Sequence, residues 1–113
     1  MKRGLSLLGF AQKAGKVVSG QIGCERAIKK KRAQLVLIAG DATPNTRELF
    51  VGLCCRHAVP YRIWGRKEDL GRAIGKTPRA AVAILDRQFA SRLQSLIDDF
   101  NNPGERLEED LWR

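Results

Sequence analysis

The side chains that most often perform catalysis are few in this chain, and their spacing does not suit it. One histidine, His57, and three cysteines, Cys24, Cys54 and Cys55, occur among the 113 residues. Cys-Cys-x-His lacks the usual separation of about two to four residues between zinc ligands, and adjacent cysteines on a helix diverge by about 100°. No nucleophile motif accompanies His57. We therefore expect no catalytic residue, no metal ion and no cofactor, and a structural role for His57.

Two further features have both a ligand-binding and a structural explanation. Asp41 follows an apolar run, where α/β proteins often bind ligands, but a lone carboxylate there is more often a turn former or a helix cap. Gly71-x-x-x-Gly75 lacks the Lys-Ser/Thr ending of a phosphate-binding loop, and the need for glycine at a helix end explains it equally well. A nucleotide-binding enzyme is supported only by Asp41 and by an α/β pattern of elements, and we expect no small-molecule substrate.

Positive charge is the strongest chemical signal in the sequence. Lys and Arg number 21 against 12 Asp and Glu, which gives a net charge of +9. Residues 1–97 carry 19 basic and six acidic side chains (+13), whereas residues 98–113 carry two basic and six acidic ones (−4). This imbalance predicts a polyanionic partner, with nucleic acid ahead of a membrane surface. We predict a basic domain over 1–97 and an acidic tail over 98–113 that masks part of the basic surface.

The cations are concentrated in one run and in several loops. The run Lys29-Lys30-Lys31-Arg32 is explained equally well by a nucleic-acid-binding surface and by a solvated helix end, where the helix dipole favours cations. The other loop cations, several of which we expect at one end of a sheet, are Lys13, Lys16, Arg66, Lys67, Lys76 and Arg79. Aromatic residues make up only 6% of the chain, which disfavours recognition of single strands by stacking. A structured RNA, read by its shape and backbone, is the predicted partner.

Apolar periodicity predicts the elements that must position these residues. Apolar runs predict three strands at Leu35–Ala39, Val59–Trp64 and Ala81–Leu85, and Val17-Val18 is predicted as a brief extended segment. Helical spacing predicts helices at Leu5–Ala14, from a cap at Ser19-Gly20 to near Ala33, from Pro44 to His57, at about Lys67–Ile74, and after a cap at Asp86. The alternation indicates an α/β fold with helices on both faces of a small sheet.

The sequence gives no sign of membrane insertion or export. Its apolar runs, such as Leu35–Ala39 and the longer Ala80–Leu85, are far shorter than the about 20 residues that span a bilayer. Polar residues from Gln12 onward interrupt the apolar stretch after the basic start. An odd number of cysteines, two of them adjacent, fits reduced thiols better than disulfides. We expect a cytoplasmic monomer.

An ordered series of short motifs resembles a known family. The series consists of Leu8–Lys16, Val18–Gly20, Leu35–Ala39, Asp41-Ala42, Cys54, Val59–Tyr61, Leu70–Lys76, Val82–Ile84 and Phe89-Ala90. Together they cover about residues 4–95 and are similar to the bacterial YlxQ-type members of the L7Ae/L30e ribosomal-protein family, which binds kink-turn RNA. The resemblance implies a single-domain, three-layer α/β/α sandwich with a small mixed sheet. It also implies a non-enzymatic role on structured RNA, with ribosomal RNA as a candidate.

The resemblance also points to the start of the second helix. Family members that bind kink-turns carry Gly-x-Asn-Glu-x-x-Lys there, and its N-terminal end faces the RNA. Gly20 matches this motif, and Arg26 keeps the charge of the lysine. Ile22 and Gly23 replace the Asn and Glu, so we expect the base-edge hydrogen bonds of those positions to be absent. Each such loss removes about 1–3 kcal/mol of discrimination, for which Gln21 is the nearest polar substitute.

The leading hypothesis is a cytoplasmic protein that binds structured RNA through its second helix and adjacent basic loops. The predicted RNA-binding residues are Lys16, Gly20, Gln21, Arg26, Lys29, Lys30, Lys76 and Arg79. Gly20 would allow close approach of the backbone, and the others would contact phosphates. The alternative is a protein-interaction adaptor of the same fold with little specific RNA binding, with which the missing Asn-Glu pair is compatible.

Overall fold

The computed structural model describes residues 2–101, with side chains described for residues 2–99. Its elements are α1 (Lys2–Lys13), β1 (Val17–Ser19), α2 (Gln21–Lys29), β2 (Leu35–Ile38), α3 (Pro44–Arg56), β3 (Tyr61–Ile63), α4 (Lys67–Ala73), β4 (Ala81–Ile84) and α5 (Arg87–Asn101). The first four residues of the predicted tail belong to α5, and residues 102–113 lie outside the described residues. The tail and its masking of the basic surface therefore stay predictions.

The four strands form one mixed sheet in the order β1-β4-β2-β3. Strand β4 is antiparallel to both of its neighbours, whereas β2 and β3 are parallel and are joined by α3. Consequently the carboxyl ends of β1, β2 and β3 lie beside the amino end of β4. We call this side of the sheet the upper edge, and the opposite side the lower edge.

Helices cover both faces of the sheet, as predicted. Helices α1, α4 and α5 pack together on one face, and α2 and α3 pack together on the other. Every residue of β2 and β4 is buried, which explains why both strands are continuous apolar runs instead of alternating patterns. Phe50 of α3 and Leu93 of α5 are fully buried against them. The three-layer α/β/α sandwich with a small mixed sheet is confirmed.

The predicted end of α2 is wrong, because the helix ends at Lys29 and not near Ala33. The cause is Lys31, which adopts a left-handed conformation with φ 58°. The chain then reverses, and the backbone N–H groups of Arg32 and Ala33 both donate to the Ala27 carbonyl, at 2.9 and 3.1 Å. The run of four cations therefore begins at the last residue of the helix and continues through the turn that follows it.

The cysteines occupy different environments. Cys24 and Cys54 are buried, whereas Cys55 is exposed, and His57 ends α3 as its C-terminal cap. Among the described residues, no group of three or more His, Cys, Asp or Glu side chains could hold a metal ion. Burial raises the pKa of Cys24 to about 12 and that of Cys54 to about 11.

We expect one of the three thiols to react quickly with Ellman's reagent in the native protein. The thiolate is the nucleophile, so the raised pKa values and burial of Cys24 and Cys54 leave both almost unreactive at about pH 8. Absorbance at the thionitrobenzoate band measures the count, and the unfolded protein, in which all three should react, is the control. Fast reaction of all three in native buffer would contradict the burial.

The helices also bear on the membrane question. Within residues 2–101, no helix combines the length and the apolar character needed to cross a membrane.

Candidate nucleic-acid interface

Helix α2 begins at the upper edge with an uncapped first turn. The N-cap residue that precedes it, Gly20, has φ 83° and ψ 168°, a conformation essentially confined to glycine. The Gly20 N–H donates to the Ala81 carbonyl at 3.1 Å, which ties the start of the helix to β4. No side chain caps this end. The N–H groups of the first turn are therefore free to meet an anion or a hydrogen-bond acceptor, aided by the positive end of the dipole.

The two other helices that begin at the upper edge are capped by side chains. Thr43 Oγ1 accepts from the Thr46 N–H at 3.3 Å at the start of α3. Asp41 Oδ1 accepts from the Lys67 N–H at 2.8 Å, which places its carboxylate at the start of α4. The structural explanation of Asp41, a helix cap, is therefore confirmed. Helix α2 is left as the open one of the three.

The loop between α4 and β4 is tied to the starts of both α2 and α4 by Arg79. Its Nε donates to Ser19 Oγ at 3.2 Å, next to Gly20, and its backbone N–H donates to the Lys67 carbonyl at 3.0 Å. Its Nη1 donates to Thr77 Oγ1 at 2.6 Å and to the Thr77 carbonyl at 3.1 Å. Arg79 thus fixes the loop beside the open end of α2.

Close packing on Gly71 also holds this loop in place. A Cβ atom at Gly71 would lie 2.2 Å from the Thr77 carbonyl oxygen. The Lys76 N–H donates to the Gly71 carbonyl at 2.8 Å, so the loop turns directly against α4. The other glycine of the Gly-x-x-x-Gly pattern, Gly75, ends the helix with φ 71°. The need for glycine at a helix end is therefore confirmed for Gly75, whereas Gly71 lies inside α4 and is required by the close packing of the loop.

The outer surface of α2 changes character along the helix. Ile22 is 74% exposed at the position where the family motif has Asn. Gln21 Nε2 donates to Glu25 Oε1 at 3.1 Å, so its amide is partly engaged within the helix. Exposed Arg26 and Lys29 follow toward the C-terminus. The first turn therefore offers backbone N–H groups beside an apolar side chain, and the cations lie further along.

The predicted RNA-binding residues do not form one surface. Gly20, Gln21 and Arg79 meet at the upper edge, and Lys76 lies in the loop that Arg79 ends. Arg26 lies in the middle of α2, and Lys16, Lys29 and Lys30 lie at the lower edge, where the Lys16 carbonyl accepts from the Leu85 N–H at 2.8 Å. Of the loop cations, Arg66, Lys67 and Arg79 lie at the upper edge, in agreement with the expectation that several share one end of the sheet, whereas Lys13 and Lys16 lie at the lower edge. The antiparallel β4 places these loops on opposite sides.

Sequence reasoning missed two residues that position this interface. Ser19 anchors Arg79, and Gly71 provides the space in which the loop lies. In the sequence, a serine next to glycine indicates only a helix cap, and Arg79, the partner of Ser19, is 60 residues away. Only the Gly-x-x-x-Gly spacing could have pointed to Gly71.

Known proteins share both the sequence and the fold of this chain. It is 44% identical over 92 residues to a Bacillus subtilis protein named RNA-binding protein YlxQ, covering 81% of this chain and 92% of that one. A solved Bacillus halodurans protein of unknown function superposes with a TM-score of 0.81 at 33% identity, over 84% of this chain and 96% of that one. The Giardia lamblia 15.5kD RNA binding protein has a TM-score of 0.70 at 25% identity, over 82% and 79%. The model of the ribosomal protein L7Ae/L30e/S12e/Gadd45 family matches residues 2–94, and the chain belongs to that family.

Proposed function

We propose that this chain is a non-enzymatic, monomeric cytoplasmic protein that binds structured RNA, with kink-turns as the preferred class, at its upper edge. The observation that carries the proposal is the open first turn of α2, which starts at Gly20 beside the loop fixed by Arg79. The Bacillus subtilis and Giardia lamblia relatives, both named as RNA-binding proteins, support it.

The chemistry of this edge suits an RNA backbone folded into a compact shape. Uncapped N–H groups donate to phosphate oxygens or to acceptors on base edges, and the helix dipole favours negative charge there. Exposed Arg66 and Lys76 add mobile cations on either side of α4. Phosphate neutralisation by such cations releases counterions and makes binding depend on salt. Recognition then rests on shape and backbone more than on base reading.

Filter binding across a salt series tests the proposal. The probes are a kink-turn RNA and a plain duplex with the same number of nucleotides, because the two then carry the same charge and differ in the kink-turn element. We expect tighter binding of the kink-turn at every salt concentration. Equal affinity for the two probes would contradict kink-turn recognition.

The double substitution Ile22→Asn and Gly23→Glu is expected to tighten kink-turn binding about tenfold or more, because each restored base contact contributes about 1–3 kcal/mol. Both sites have room: Ile22 is 74% exposed, and a Cβ at Gly23 would lie 3.8 Å from Val18 Cβ. Ile22→Thr, which removes apolar surface without adding an amide, is the matched control. Unchanged affinity of the double variant would contradict the placement of the RNA on α2.

The exposed apolar side chain of Ile22 favours the second candidate, a protein-binding adaptor. Charge reversal at Arg26 and Lys29 separates the two functions. An RNA-binding protein should lose affinity for the kink-turn probe, because both cations lie on the exposed face of α2. Unaltered RNA binding would instead indicate that α2 binds a protein and not RNA.

A further inference from the structure

A second concentration of positive charge lies at the lower edge, opposite the proposed RNA site. The lower basic edge consists of seven exposed cations, which lie at the ends of α1 and α2, in the loops after these helices, and at the start of α5. They are Lys13, Lys16, Lys29, Lys30, Lys31, Arg32 and Arg87. Apart from Lys29, whose charge reversal tests α2, the upper-edge proposal uses none of them.

The sheet brings these separate segments together. The Leu85 N–H donates to the Lys16 carbonyl at 2.8 Å, and the Gln34 N–H donates to the Ile84 carbonyl at 2.7 Å. Lys16 and Gln34 therefore flank the carboxyl end of β4, two strand spacings apart, or about 10 Å. Arg87 follows Leu85 by two residues and begins α5. Chain segments that are far apart in sequence thus present their cations side by side.

The turn after α2 is held in a fixed shape. The Lys30 N–H donates to the Arg26 carbonyl at 3.0 Å, and the Lys31 N–H donates to the Ile28 carbonyl at 3.1 Å. With Lys31 in the left-handed conformation, the chain reverses, and successive side chains point in different directions. The cations consequently spread over the end of the domain instead of along one helix face.

Ion pairing does not account for this charge, and the helix dipoles account for it only at the ends of α1 and α2. In the described part of the chain, the two ion pairs are Arg62 with Asp98 and Arg72 with Glu68. The loops of the lower edge hold one carboxylate, Asp86, whose Oδ2 accepts from the Phe89 N–H at 2.9 Å. Dipoles favour cations at helix C-termini, but Arg87 lies at the positive start of α5. Cations closer than the Debye length of about 10 Å repel one another, and a polyanion relieves that repulsion.

We infer that the lower basic edge is a second, sequence-independent binding surface for an RNA backbone, so that one protein molecule holds two RNA segments at once. Helix α2 spans nine residues, so the two surfaces lie at least about 13 Å apart at opposite ends of the sheet. The binding of two segments rests on the proposed function, because it requires that the upper edge binds RNA. The lower surface itself does not depend on kink-turn recognition.

The test compares two triple variants with the same net charge. Lys31→Gln, Arg32→Gln and Arg87→Gln remove cations from the lower basic edge, whereas Lys2→Gln, Arg3→Gln and Arg92→Gln remove three from the groove between α1 and α5. The probe is a plain RNA duplex, measured over a salt series. Each lost phosphate contact lowers the slope of log affinity against log salt by about 0.9, so the first variant should lose about 2.7 and the control much less. Equal slopes for the two variants would overturn the inference.

A bridging experiment tests the two-segment arrangement. Immobilised plain duplex should retain a labelled kink-turn hairpin only when the protein is present, and the lower-edge variant should lose this retention while it still binds the free hairpin. If the lower-edge variant also lost binding of the free hairpin, the inference of two separate surfaces would be overturned. If the parent protein shows no preference for the kink-turn but keeps the slope difference, the proposed function fails and the lower surface stands. Melting temperatures confirm that both variants are folded.

Discussion

Replacing Gly71 with alanine is expected to destabilise the fold by about 2–4 kcal/mol and to weaken RNA binding at the upper edge. The added Cβ would lie 2.2 Å from the Thr77 carbonyl oxygen, 2.7 Å from its carbon and 2.9 Å from Pro78 Cα. All three atoms are backbone, so no side-chain rotation relieves the overlap. The loop must move away from α4, and Arg79 then loses its contacts with Ser19 and Thr77.

The matched control is Gly52→Ala, a glycine inside α3. A Cβ there would meet no heavy atom within 4 Å outside its own helix. Because alanine is the better helix former, we expect a gain of as much as about 1 kcal/mol. Urea unfolding measures both changes, and filter binding measures the effect on RNA. A neutral Gly71→Ala variant would show that the loop is not packed on α4 as described.

The second large effect is expected at Gly20. Gly20→Ala should cost about 1–3 kcal/mol, because φ 83° with ψ 168° is a region that residues with a Cβ scarcely occupy. The cause is backbone strain alone, since a Cβ at this position would meet nothing within 4 Å. Relief of that strain shifts the first turn of α2 and breaks its alignment with the loop at Arg79. We therefore expect the RNA affinity of the variant to fall even under conditions in which the variant is fully folded.

Gly23→Ala is the control for the Gly20 variant. It lies in the same turn of α2, and its Cβ would meet Val18 Cβ at an ordinary distance of 3.8 Å. We expect unchanged or slightly increased stability and unchanged RNA binding. Urea unfolding and the amide resonances of residues 21–23 provide the measurements. Similar behaviour of the two variants would mean that the conformation of Gly20 does not position α2.

The elements of this fold were largely predictable from local patterns. The buried runs of β2 and β4, the proline that opens α3 and the cap at Asp86 each act through near neighbours in sequence. The end of α2 was not predictable, because a lysine in the left-handed conformation at position 31 has no sequence signal. Local propensity favours a longer helix there, and the docking of Gln34 onto β4 overrides it.

The candidate site was only partly predictable, because it depends on how distant segments meet. Gly20 and Arg79 were identified from motif and charge, but their link through Ser19 needs the strand order. The cations of the loops look alike in the sequence. The reversed direction of β4 sends Lys16 to one edge and Arg79 to the other, and composition carries no information about that direction.

The position of β4 between β1 and β2 has a consequence for synthesis of the chain on the ribosome. Strands β2 and β3 with α3 form a local unit that can assemble early, whereas β1 finds its partner only when residues 81–84 have been made. Pairing across such a long separation is slow, because the intervening chain must close as a large loop. The nascent protein thus carries β1 unpaired while residues 20–80 are made, and assembly of the sheet is completed only afterwards.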